Sequence, residues 1–205
     1  MRWVWEARPS PGNVPIVSGK DDTIRQEYLH AMEGDMSTST LRPFYGMWPQ
    51  YNRRLRDVIA AMTDEQLAVR PSPDLWPIWA TVGHTAGGRV YWLCHVMGEP
   101  GADTTPFADA ASGIGWEDDL DHPRSADELA GALDSTFSLI EDCLGRWTPD
   151  MLGDQIHRDY DGTDQVHTRG SVLQRLFSHE AYHCGELSQT LGIAGLPQID
   201  LWRPD

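Results

Sequence analysis

Apolar residues recur at intervals of three and four along most of this 205-residue chain, the mark of amphipathic helices. From Leu41 to Met62 they fall at Phe44, Trp48, Tyr51, Leu55, Val58, Ile59 and Met62. Pro43 and Pro49 set the regular part of this first long helix near Pro49, because proline suits only a first turn. Thr63-Asp64-Glu65-Gln66 is a capping box for a short turn ending near Leu67, and Pro71 to Asp74 make a loop. Pro77 to Met97 is the second long helix. Its one formal charge apart from two histidines is Arg89, and apolar residues on most sides predict a buried helix. Gly98 to Pro123 is a long loop. Ser125-Ala126-Asp127-Glu128 caps the third helix, which runs to about Trp147 with Leu129, Leu133, Phe137, Ile140 and Leu144 on its apolar face. Thr148-Pro149-Asp150 caps another short turn ending at Leu152. Gly153 to Thr168 reads as a polar loop with His157 and His167 exposed. The fourth long helix runs from about Arg169 to Gly192, with Gly192 and Gly195 as stop signals.

The two halves repeat one plan: a long helix, a Thr-capped turn, a loop, and a long helix bearing histidines. No segment alternates as a strand should. The expected fold is all-α, a four-helix bundle built from two helical hairpins, with Leu201 and Trp202 of the tail laid over it. Residues 1–35 lack a period and are broken by Pro9, Pro11, Gly12, Pro15 and Gly19. They read as a flexible N-terminal extension with a short helix from Thr23 to Met32, and residues 36–205 as the domain. Met36 is an alternative first residue.

The charge, −15 from 16 basic and 31 acidic residues, argues against nucleic acid and anionic membranes as partners, since both need basic patches. No stretch is apolar enough to span a bilayer. The start, MRWVWEARPSPG, has no signal-peptide core. Three cysteines without a framework pattern suit a reducing cytoplasm. Cys94, Cys143 and Cys184 each fall in a helical stretch, where a small core residue is the ordinary role.

The candidate chemistry lies in SHEAYHCGEL, Ser178 to Leu187. His179 and His183 sit four apart, so their Cβ atoms stack about 6 Å apart on one helix face and can close on one metal ion. The alternative is a pair of ordinary polar surface residues. Leu173, Leu176, Phe177, Cys184, Leu187 and Leu191 form the apolar stripe, with the histidines at its edge and Glu186 next on their row. Glu180 projects into that stripe. It needs a cation there, either a metal or an arginine from another helix. Cys184 points with the leucines, which favours the core over ligation. His84, in the charge-poor second helix, must also find a partner, a metal or a core hydrogen bond. Gly88, Tyr91 and His95 share its row. His95 lies roughly 16 Å from His84 along the axis, too far for one ion. If the second and fourth helices face each other, His84, His179 and His183 make three neutral ligands with an open position, the catalytic arrangement. Zinc, nickel, iron and manganese all accept imidazole. Trp116 in the long loop can cover such a cleft or plug the core. Tyr91, Trp116 and Glu186 are the candidate substrate-binding residues.

On these residues the chain resembles the DinB/YfiT-like family of metal-dependent enzymes. The matching positions are His84 in WPIWATVGHTAGGRVYWL, and His179 and His183 in SHEAYHCGELSQTLGIAGLP, over about Leu41 to Trp202. The resemblance implies a four-helix bundle whose three histidines bind a divalent metal, with homodimers common. Where the family usually reads HRGQ this chain has HCGE, so Cys184 replaces an arginine and Glu186 a glutamine, and an anion contact by that arginine is lost. Members with known activity include thiol S-transferases and a mycothiol-dependent isomerase. The resemblance therefore implies metal activation of a low-molecular-weight thiol that attacks a small-molecule electrophile in stress or detoxification. Two other readings remain. HEAYH matches the HExxH of zinc peptidases, with Glu180 as the catalytic base of a hydrolase; the missing sheet and the upstream position of His84 weigh against it. In a non-catalytic metal-binding bundle, a fourth ligand such as Glu180 would close the site.

Overall fold

The structure, a computed structural model, describes residues 39–109 and 112–201. The predicted extension, the Thr23–Met32 helix and Trp202 lie outside the described residues. The described residues contain five α-helices: α1 (Trp48–Ala60), α2 (Asp64–Leu67), α3 (Ile78–Val90), α4 (Ala126–Arg146) and α5 (Arg169–Ile193), with short 3-10 turns between them. A 3-10 turn over Arg42–Tyr45 precedes α1, whose Pro49 sits in the first turn. Thr63 and Ser125 close the capping boxes expected of them. Thr168 forms a further box with Ser171, both partners supplied by hydroxyl side chains.

Packing follows the apolar faces. Helix α4 packs on α1 and α3, and α3 packs on α5. The core runs from Trp48, Leu55 and Ile59 through most of α3 to Leu133, Ile140, Leu173 and Leu187. Phe44 departs from the expected apolar face and is 60% exposed, because the chain there is a 3-10 turn and not the helix whose period placed it inward. Phe177 is also partly exposed, although its ring meets Trp48 edge-on at 5.3 Å. The second long helix does not stay α-helical to Met97. From Tyr91 to Val96 it widens into a π-helix, a feature that often accompanies functional sites.

The all-helical expectation is corrected between α4 and α5. Gln155–Tyr160 (β1) and Thr163–Thr168 (β2) form an antiparallel hairpin pairing Gln155 with Thr168 and Tyr160 with Thr163. Its turn is Asp161-Gly162, at φ 51° and 77°, the pair of positive φ angles that a type I′ turn needs. On one face Ile156 packs against the core. Two-residue alternation then turns Arg158 and Tyr160 to the same side. His157 bonds Asp164 at 2.9 Å on the opposite face. His167, expected to be exposed, is half-buried with its ring edge-on to Trp92 at 5.3 Å.

One buried polar network ties the four long helices together. Arg89 of α3 is fully buried. Its Nε donates to Glu180 Oε1 of α5 at 2.7 Å, Nη2 to Asn52 Oδ1 of α1 at 2.9 Å, and Nη1 to the Leu133 carbonyl of α4 at 2.9 Å. The indole N–H of Trp48 donates to the other Glu180 oxygen at 2.7 Å. Glu180 thus finds its cation in an arginine.

Candidate metal centre

Helix α3 carries His84 and helix α5 carries His179 and His183, and the contact between these helices brings the three rings together. The Nε2 atoms of His84 and His183 each lie 3.0 Å from His179 Nε2. The His84 ring centroid is 4.9 Å from that of His179 and 5.0 Å from that of His183. His183 is buried and the other two rings are half-buried. Close helix approach is allowed at Gly88, where a Cβ would already sit 3.4 Å from His179 Cε1.

Two of the rings are oriented from behind. His84 Nδ1 lies 2.5 Å from Glu117 Oε1, and His183 Nδ1 lies 2.7 Å from Glu186 Oε2. A carboxylate accepting the Nδ1–H fixes the tautomer, leaves the Nε2 lone pair free and raises ligand basicity. Burial, then the neighbouring imidazoles, draw the His179 pKa from 6.5 down to about 4. Burial lowers that of His183 too, partly offset by its hydrogen bond to Glu186. Both shifts favour the unprotonated imidazoles of His179 and His183 that a metal requires. Glu117 Oε2, behind the His84 ring, is buried without a partner among the described residues, a polar atom that a nearby cation would compensate. These residues fit a divalent ion.

Glu117 is the residue that sequence reasoning missed. It lies in a 3-10 turn, Trp116–Asp118, within the long loop. Gly83 and Gly87 explain its arrival: a Cβ on Gly83 would meet Trp116 at 3.1 Å, and one on Gly87 would meet Phe107 at 3.2 Å. A glycine face on α3 thus receives two loop aromatics and sets Glu117 behind His84. In the same turn a Cβ on Gly115 would displace the Glu117 carboxylate from its place behind His84. The signal was present in the four-residue glycine spacing of VGHTAGG, but no spacing rule links it to a residue 33 positions on.

The remaining candidates separate. Tyr91 lines a cavity of about 530 Å³ that includes His84, His179, His95, Glu117 and Arg158. Trp116 is packed on Gly83 and on Phe107, centroids 4.8 Å apart, and is not in that lining. Glu186 bonds His183 and lines a second cavity of about 380 Å³ with Trp76 and Leu75. Trp76 also stands 5.0 Å from the His84 ring. Glu180 is held by Arg89 and Trp48. Cys184 lies in the core, its thiol pushed up to about 12 by burial.

A family model described as DinB superfamily matches residues 50–187, well over half of the chain, and the chain belongs to that superfamily. Among solved structures, a DinB-like protein from Bacillus cereus superposes with a TM-score of 0.59 at 19% identity, over 79% of this chain and 97% of that one. At this identity the likeness is one of fold. No protein with a curated function matches significantly.

Proposed function

We propose that this protein is a divalent-metal-dependent enzyme that activates a low-molecular-weight thiol for transfer of its sulfur to a small electrophile. The four long helices are then a four-helix bundle of two hairpins, with the reaction centre where α3 faces α5. The observation that carries the reading is the convergence of three Nε2 atoms, two of the rings backed by carboxylates, with His84 and His179 on the wall of an open cavity. Three protein ligands with space beside them suit catalysis, whereas a structural site is closed by four.

His84, His179 and His183 would hold the ion, and a bound divalent ion supplies Lewis acidity that lowers the pKa of a coordinated thiol or water. Glu117 and Glu186 keep the rings in their ligating tautomer. One cavity is lined by His84 and His179, and a second is lined by Glu186 and Trp76, which contact His183 and His84; two such spaces suit a reaction with two substrates. In the transfer the thiol gives up its proton, its sulfur bonds the electrophilic carbon, and the pair of the bond that carbon gives up, to a leaving group, a ring oxygen or a conjugated π system, goes to that group, which takes a proton from solvent. Zinc and nickel are the preferred ions, with iron and manganese also compatible with imidazole. A cytoplasmic homodimer acting on small molecules completes the reading.

The hydrolase alternative with Glu180 as base is disfavoured by the Arg89 and Trp48 bonds that occupy both of its oxygens. The test is turnover of an electrophile panel with several thiols, with and without metal. A metal-dependent rate supports the reading. No rate across a wide panel moves the assignment to a non-catalytic metal protein.

A further inference from the structure

The largest feature that the triad leaves unused is Arg158. In this chain of net charge −15, Arg56, Arg89, Arg124, Arg146 and Arg169 each pair with a carboxylate. Arg158 does not, among the described residues. Its Nη1 donates to the Tyr91 hydroxyl at 2.7 Å, and Nη2 approaches His95 Nε2 at 3.5 Å. The guanidinium carbon lies 5.3 Å from the centroids of both Tyr91 and Tyr160. Two aromatic rings and one short hydrogen bond therefore hold the fork, while most of its five N–H donors have no acceptor among the described residues. It lines the same cavity as His84 and His179. The other charged residues of that lining, Asp109 and Glu117, are acidic. Arg158 is thus where this wall can hold an anion.

We propose that Arg158, positioned by Tyr91 and Tyr160, is an oxyanion subsite for the substrate acted on at the histidine triad. Both are placed from α3, the triad through His84 and Arg158 through its bond to the Tyr91 hydroxyl. Tyr91 follows His84 by seven residues on one row, two turns or roughly 10 Å along the axis. The substrate class is a small molecule with a carboxylate or phosphate at one end and the reacting group about two helical turns away. A guanidinium and an oxyanion of this kind pair through two parallel hydrogen bonds. The link to the reacting group rests on the metal-dependent reading above; the anion subsite itself does not.

The test is calorimetric binding of thiol-terminated straight-chain acids to zinc-loaded protein. The probes are mercaptopropionate, mercaptooctanoate (whose extended chain matches the span), the methyl ester of the latter, and its phosphonate analogue. The wild type should prefer the long acid over its ester by about tenfold or more, the usual worth of a charge-assisted hydrogen bond. It should also prefer the long acid over the short one. Arg158→Gln should erase the acid preference and leave ester binding unchanged, while Arg158→Lys keeps part of it. Comparing acid with phosphonate tells which oxyanion the fork favours. Equal binding of acid and ester by the wild type, or an undiminished preference in Arg158→Gln, overturns the proposal. An Arg158-dependent preference that is the same in zinc-free protein and indifferent to length supports the subsite and sinks the metal reading. Zinc-dependent binding of the ester with no Arg158 effect does the reverse.

Discussion

Removing the Glu180 carboxylate should cost stability and leave the metal site standing. In Glu180→Ala two donors lose their acceptor inside the core: Arg89 Nε and Trp48 Nε1, both now bonded at 2.7 Å. A buried unsatisfied donor costs about 1–3 kcal/mol, more when charged. Breaking a buried ion pair from one side costs about 3–5 kcal/mol because the remaining charge is uncompensated. The two estimates overlap near 4 kcal/mol, a large share of the roughly 5–15 kcal/mol that a domain has in total. Arg89 cannot swing out to water, since it is fully buried and also held by Asn52 and Leu133. Urea unfolding followed by circular dichroism reads the loss as a lower midpoint at unchanged slope. The double variant Arg89→Met/Glu180→Leu should recover most of it, because an apolar replacement removes both charges together. Metal content should stay at the wild-type level in whichever variants remain folded. A Glu180→Ala midpoint within experimental error of wild type would refute the reasoning. So would loss of metal from a folded variant, which would return Glu180 to the metal as ligand or base.

Three further expectations follow from the same geometry. Glu117→Ala should weaken metal affinity about 10–100-fold by releasing the His84 ring, measured by chelator competition; unchanged affinity would show that Glu117 does not orient the ligand. His179 is held neutral, with its pKa lowered from 6.5 to about 4, so the stability of metal-free protein is complete above pH 6.5 and falls as pH drops through 4. A shift of this size is worth at most about 3 kcal/mol, less solvent screening of a half-buried ring. Urea midpoints of wild type and His179→Asn should diverge in slope over that window, and parallel pH profiles would contradict it. Cys184 and Cys143, both buried with thiols raised to about 12, should resist alkylation until unfolding, whereas half-buried Cys94 reacts first; mass spectrometry after brief iodoacetamide treatment reads the order.

The long helices were legible in the sequence because their apolar period, prolines and capping boxes agree. The four-residue spacing of His179 and His183 was legible for the same reason, since a helix turns it directly into proximity. Pairing with His84 needed the further step of facing α3 to α5, which the charge-poor composition of α3 encouraged. The hairpin was missed although Asp161-Gly162 is a strong turn signal, because QIHRDY and TDQVHT carry too little apolar alternation to stand out beside it. Glu117 was missed because a loop reaches its site by tertiary docking, which leaves no period. Arg158 depends on the first of these misses, since only the strand register turns it toward Tyr91.

The central claim is the three-histidine metal site, and its most direct test is metal content per chain, by elemental analysis, of wild type and His84→Ala purified side by side. The account predicts about one divalent ion in the wild type and little in a folded His84→Ala. No metal in the wild type after reconstitution, or full occupancy in His84→Ala, would contradict it.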